Sequence, residues 1–250
     1  MFKKALFSAI IAGLAFAGSA NAASIGVNVG ATGQEIGTSA TAGVVAQNNW
    51  NDRTGGGSGL AQVTDDSGTL LATQVSVQTS WSYTTGAGNS DANHTLMNGA
   101  LDNNGGEMGF TVTNVPYALY DVIIYHEGGS DAGRGGAFFV RDTDSGDAII
   151  ATQDSYDVTT FSGTFVDAST VGVGGTGIDS EGNAVNSNYV RFSGLTATNI
   201  KIRSLANLIG NPATPRAPIA GMQIVEVPEP SSLALIGLGG LMMIKRRKRA

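Results

Sequence analysis

Residues 137–141, Ala-Phe-Phe-Val-Arg, run into 142–147, Asp-Thr-Asp-Ser-Gly-Asp, and then into 148–152, Ala-Ile-Ile-Ala-Thr. The outer two segments are short, apolar and rich in β-branched and aromatic residues, while the middle one holds the Asp, Ser and Gly that turn a chain. Together they predict a β-hairpin. Working outward, the same pattern recurs at residues 25–29, 70–77, 109–115, 119–126, 163–167, 189–192, 199–203 and 219–227: short runs of Val, Ile, Thr, Phe and Tyr bounded by Gly, Asn, Asp or Ser. Helical spacing is confined to a turn or two across residues 93–101. So many strands with such frequent turn signals predict an all-β fold, a jelly-roll-like antiparallel β-sandwich. A β-solenoid would need a unit recurring at fixed period, and none is found.

The pattern stops at both ends. Lys3 and Lys4 precede the apolar run 5–17, and Ala20-Asn21-Ala22 then supplies the small residues that a signal peptidase cuts after. Residues 1–22 are therefore expected to be a signal peptide and 23–227 one β-sandwich domain. Residues 228–250 form a distinct tail. It reads Pro228-Glu229-Pro230-Ser231-Ser232, then an apolar stretch 233–244, then Lys245-Arg246-Arg247-Lys248-Arg249. Twelve helical residues reach only about 18 Å, short of a hydrocarbon core of about 30 Å, which suits a transient single-pass transmembrane helix with its basic end in the cytoplasm. Pro228-Glu229-Pro230, the short apolar helix and the basic end resemble the tail of PEP-CTERM proteins. That resemblance implies export across the inner membrane of a Gram-negative bacterium that makes exopolysaccharide, cutting by an exosortase, and residence at the cell surface or in the extracellular matrix.

The body between the two ends carries seven basic and 19 acidic residues, a formal charge near minus twelve. Nothing in it can neutralise a phosphate backbone, so nucleic acid is excluded as a partner. The absence of Cys excludes disulfides, thiolate zinc sites and a cysteine nucleophile. The two His, His94 and His126, come without a Gly-x-Ser-x-Gly elbow, and the abundant Asp is accounted for by turns, so no catalytic residues are assigned and the protein is not expected to be an enzyme. Asp142, Asp144 and Asp147 place hard oxygens on one turn and point to a structural Ca2+, although Gly146 and the missing closing Glu depart from the EF-hand pattern. Gly172 to Gly177 spell a dinucleotide fingerprint, but no helix can follow at Ile178-Asp179-Ser180, so the stretch reads as a glycine-rich loop.

Two long loops, 47–59 and 83–107, interrupt the strands, and loops at the ends of a sandwich are where ligand sites are built. Trp50, Trp81, Tyr83 and His94 lie in or beside them, among Asn, Gln and Asp that would hydrogen-bond sugar hydroxyls under a stacked ring. For Trp50 and Trp81 the alternative of core filling stays open, whereas Phe110, Tyr120, Phe138, Phe161, Phe165 and Phe192 are expected in the core. Asn28, Trp50-Asn51, Val115-Pro116-Tyr117 leading into Tyr120-Asp121-Val122, and the final run 219–225 resemble a galactose-binding-like jelly roll, the fold of many non-catalytic carbohydrate-binding modules. The function expected is polysaccharide binding without cleavage. A passive structural role in the exopolysaccharide matrix is the alternative, and an enzyme acting on polysaccharide the third.

Overall fold

The hairpin at residues 137–152 is present, between β9 (Arg134–Asp142) and β10 (Ala148–Asp157), and its turn closes on Gly146 and Asp147, both at positive φ. The computed structural model describes residues 22–228 apart from 31, 55–56, 80, 103, 130–133 and 208–215. The expected signal helix, the short transmembrane helix, Ala20, Glu229 and Pro230 lie outside the described residues, while Ala22 packs against the sandwich.

The remaining strands are β1 (Ser24–Gly30), β2 (Asn51–Thr54), β3 (Ser58–Thr64), β4 (Leu70–Gln78), β5 (Trp81–Thr84), β6 (Gly99–Asp102), β7 (Met108–Thr113), β8 (Tyr120–Tyr125), β11 (Tyr189–Leu195), β12 (Ile200–Ala206) and β13 (Gly221–Glu226), with one short helix, α1 (Ala92–Asn98). They build a five-stranded sheet in the order β11-β8-β13-β1-β2, a six-stranded sheet in the order β10-β9-β12-β7-β4-β3, and the small hairpin β5-β6. Every pairing is antiparallel except β1 with β2. From β10 onward the chain passes from one sheet to the other at each connection, the mark of a sandwich whose strand neighbours are distant in sequence. The first strand pairs with the last, Ser24 opposite Val225, so the chain enters and leaves the sandwich at one pole.

Two apolar layers explain why β8 reads as a continuous hydrophobic run. Tyr120, Val122 and Ile124 face the six-stranded sheet and meet Phe110, Val112, Phe138, Val140, Ile200 and Ile202. Ile123 and Tyr125 point the other way and are covered by a second cluster of Ile36, Trp50, Leu96, Met97 and Phe161. A strand buried on both faces loses its alternation. The outer face of the six-stranded sheet has no such cover among the described residues, and Gln62, Gln74, Ser76, Gln78, Thr111, Thr113, Arg141 and Lys201 reach solvent there. Arg203 lies flat across this face and is only 2% exposed. Its guanidinium donates to Gln78 Oε1 and Thr111 Oγ1, each at 3.0 Å, to the Phe110 and Ile202 carbonyls, and pairs with Glu107.

Two expectations are corrected. Residues 163–167 form no strand: Gly163 is at positive φ and the Asn188 side chain holds Val166 N and Thr164 O, turning Phe161 and Phe165 onto the second cluster. The loops expected at 47–59 and 83–107 contain β2, the start of β3, the second half of β5, α1 and β6. Gly99, which ends α1 and opens β6, sits so close to the Val29 carbonyl and the Gly30 backbone that any Cβ would overlap them, and this contact seats the β5-β6 hairpin on β1.

Candidate functional site

The hairpin β5-β6 stands at the pole opposite the chain ends. In its register Trp81 faces Asp102 and Tyr83 faces Ala100, so the period of two puts both rings on one side of the ribbon. Thr79 Oγ1, donating toward the carbonyls of Asp102 at 2.6 Å and Trp81 at 2.7 Å, fixes the hairpin's open end, and Leu101 N donates to Ile219 O at 2.8 Å to tie it to the sandwich. Asp102 is buried and ion-paired with Arg216. Trp81 is 51% exposed. Tyr83 is half-buried, its hydroxyl 3.4 Å from the Glu127 carbonyl and 3.4 Å from Arg134 Nη1, and the Arg134 guanidinium stands 5.9 Å over its ring. Burial pushes the Tyr83 hydroxyl above its ordinary pKa, so the ring is neutral and its rim is a hydrogen-bonding hydroxyl.

Beneath this surface lies a buried acid pair. Glu127, just past β8, and Asp157, at the end of β10, are fully buried and hydrogen-bonded to each other. Backbone donors clamp them: Gly129 N and Phe161 N on Glu127 at 3.1 and 3.0 Å, Gly128 N on Asp157 at 2.6 Å. Desolvation raises both carboxyls, and their proximity forbids both from ionising at once, so one proton is held between them. Arg134, opposite Asp157 in the β9-β10 register, donates to Gly128 O at 2.9 Å and joins the pair to the Tyr83 ring.

His126 points the other way, into the sandwich. It stacks on Phe138 at 4.7 Å, and Nε2 shares a hydrogen bond with Ser155 Oγ, which meets Ser187 Oγ at 2.8 Å. Its Nδ1 has no partner, and burial pulls its pKa down to about 3. A serine and a histidine are adjacent here, but both are fully buried, so no substrate reaches them. Neither this pair nor Glu127, Asp157 and Arg134 was found from the sequence, because their neighbours come from β8, β9 and β10, and only the packed sandwich juxtaposes those ends.

Of the four ring residues expected to contact sugar, the structure brings Trp81 and Tyr83 together. Trp50 is corrected to a core residue, 3% exposed, 6.3 Å from the Tyr125 ring, with its indole N–H on Gln47 O at 3.2 Å. His94 lies in the first turn of α1, where the Asp91 cap takes its backbone N–H and Nδ1 at 2.9 Å, and its ring meets Phe161 edge-on at 5.2 Å. No hydrogen bond or ring contact joins it to Trp81 or Tyr83 among the described residues.

The Ca2+ site expected at Asp142, Asp144 and Asp147 is also corrected. Asp142 accepts from Asp144 N, Ser145 N and Ser145 Oγ, Asp144 accepts from Asn199 Nδ2 at 2.9 Å, and Asp147 pairs with Lys201 at 2.9 Å. Ser145 within the turn holds Asp142 below its ordinary pKa and Lys201 of β12 does the same for Asp147, and among the described residues no three His, Asp or Glu are arranged around a metal.

Residues 226–249 match the family model of the PEP-CTERM protein-sorting motif, which spans the Pro228, Glu229 and Pro230 identified from the sequence. No curated protein and no solved structure matches the chain. The motif marks an exported protein that is processed by an exosortase. Among the described residues no helix is long and apolar enough to cross a membrane.

Proposed function

For a chain that carries this sorting motif, we propose that the sandwich is a non-catalytic carbohydrate-binding module, displayed at the cell surface or in the exopolysaccharide matrix after the tail is cut. The observation that carries the proposal is the half-exposed Trp81 ring on the same side of one ribbon as Tyr83, with Arg134 against the latter. A flat indole stacks on the C–H face of a pyranose, while a neighbouring hydroxyl and guanidinium take the sugar's hydroxyls. The body's charge, near minus twelve, repels uronic-acid polymers and leaves neutral or cationic glycans as ligands.

Cleavage of a glycoside requires two carboxyl groups facing each other across a groove, at least about 5 Å apart. Glu127 and Asp157 are instead bonded to one another below the surface, which supports binding without hydrolysis. The test is titration of the full chain against neutral polysaccharides, with Trp81→Ala beside it. Binding that weakens about tenfold in the variant, a loss of about 1.4 kcal/mol, is the expected result. Absence of binding to every glycan, or an unchanged affinity in the variant, refutes the reading. The open Gln, Ser and Thr face of the six-stranded sheet favours a second reading, a hydrated matrix component with no ligand, and it predicts the first of those outcomes.

A further inference from the structure

The second half of β10 pairs with β9 on one side, and on its other side Tyr156 bridges to Asn186 while the glycine-rich segment folds back along the strand. Two short 3-10 turns, Ala168–Thr170 and Val173–Gly175, with Gly174 and Gly175 at φ 64° and 74°, bring this segment against the strand. Gln153 Nε2 closes the junction by donating to Gly175 O at 2.7 Å and Asp154 O at 2.9 Å. What remains between strand and turn is an open groove of about 310 Å³, with Thr152, Gly174 and Thr176 exposed along its rim and Gln153, Asp154 and Gly175 half-buried in it. Its lining is hydroxyls, an amide, backbone and one carboxylate.

That carboxylate stands apart from most other acids of the fold. Glu107, Asp102, Asp121 and Asp147 are matched by arginine or lysine, and Asp52, Asp65, Asp66, Asp142, Asp157, Asp167 and Asp179 accept from backbone N–H groups. Asp154 is half-buried, and among the described residues no N–H, O–H or cation comes within hydrogen-bonding reach of its side chain. Burial without a partner raises its pKa. A carboxylate in this condition recovers the lost solvation from a ligand that brings both charge and donors.

We propose that this groove is a second glycan-binding site, whose ligand is a hexosamine residue held by its protonated amine on Asp154 and by its hydroxyls on Thr152, Thr176 and the glycine backbone. An amine is favoured over a neutral sugar because Asp154 lacks a counter-charge and the whole body is acidic. A bare divalent cation is disfavoured, since Ca2+ seeks six to eight oxygens and the lining offers one carboxylate. The ligand class rests on the carbohydrate reading above, but the site is independent of Trp81.

Calorimetric titration of the full chain with a glucosamine tetramer, with its N-acetylated counterpart and with spermidine tests the assignment, each on the unaltered protein, Asp154→Asn and Trp81→Ala. The expected result is about tenfold tighter binding of the free amine than of the acetylated tetramer, abolished in Asp154→Asn and retained in Trp81→Ala. A preference that survives Asp154→Asn is generic attraction to an acidic protein and overturns the site, as does equal binding of the two tetramers. Spermidine binding as tightly as the amino sugar, and equally dependent on Asp154, overturns the sugar component. Failure of the Trp81 surface shows separately, as a Trp81→Ala variant unchanged toward neutral glycan.

Discussion

Acidification should withdraw one contribution to the stability of this fold, that of His126. The imidazole is 0% exposed, stacked on Phe138 and bonded through Nε2 to Ser155, with an unpartnered Nδ1. Burial lowers its pKa from 6.5 to about 3. Below the unfolded value the denatured chain takes a proton that the native chain refuses. The His126 contribution is therefore whole above pH 6.5 and is lost as the pH drops, until the native imidazole titrates near 3. At pH 5, one and a half units below the unfolded value, the loss is about 2 kcal/mol. Urea denaturation at pH 8 and pH 5 measures it, with His126→Gln as the reference that keeps a polar contact to Ser155 and cannot titrate. The unaltered protein should lose about 2 kcal/mol more than the variant over that interval. Equal losses refute the reasoning. Should the variant not fold, the imidazole carbon shifts of the native protein decide the matter, because a protonated His126 at pH 5 is incompatible with it.

The acid pair acts from the other side. The raised Glu127 carboxyl keeps a proton that the unfolded chain releases above pH 4.5, so its contribution shrinks as the pH rises, and Glu127→Gln should flatten the alkaline limb of a melting-temperature profile between pH 6 and 9; an unchanged limb would contradict the shared proton. Arg203→Ala should cost about 2–4 kcal/mol in chemical denaturation, since it strips the donors of Gln78, Thr111 and two carbonyls at once. Arg203→Lys should not restore it, because an ammonium cannot span that fork of acceptors, and full recovery would show that charge alone matters.

The residues explain what could and could not be read from the chain. The β9-β10 hairpin and β8 were legible because each is long, apolar and punctuated by turn residues. β5 and β6 were not: four residues each, one opened by Gly99, they exist because the hairpin docks on β1 and Ile219, a contact between distant segments. The two tryptophans had equal local credentials, polar and glycine-rich flanks. Their fates were decided by neighbours far along the chain, Tyr125 covering Trp50 and nothing covering Trp81. Residues 163–167 carry strand-like composition, yet their apolar side chains serve the second cluster and side-chain amides replace a ladder. The aspartates at 142, 144 and 147 show the converse, a ligand-like spacing spent on making a turn. Asp154 escaped notice because a missing partner is visible only when every surrounding atom is placed.

The pairing of Ser24 with Val225, together with Val227 N on Leu119 O, also has an orientational effect. Ser24 and Val227 therefore lie on the same side of the molecule, while Trp81, Tyr83 and Arg134 lie beyond the far end of β8, about 17 Å of strand away. And because β13 sits between β8 and β1 rather than at an edge, the five-stranded sheet closes only when residues 221–226 slot between two strands already in place, so β13 acts as the keystone of that layer.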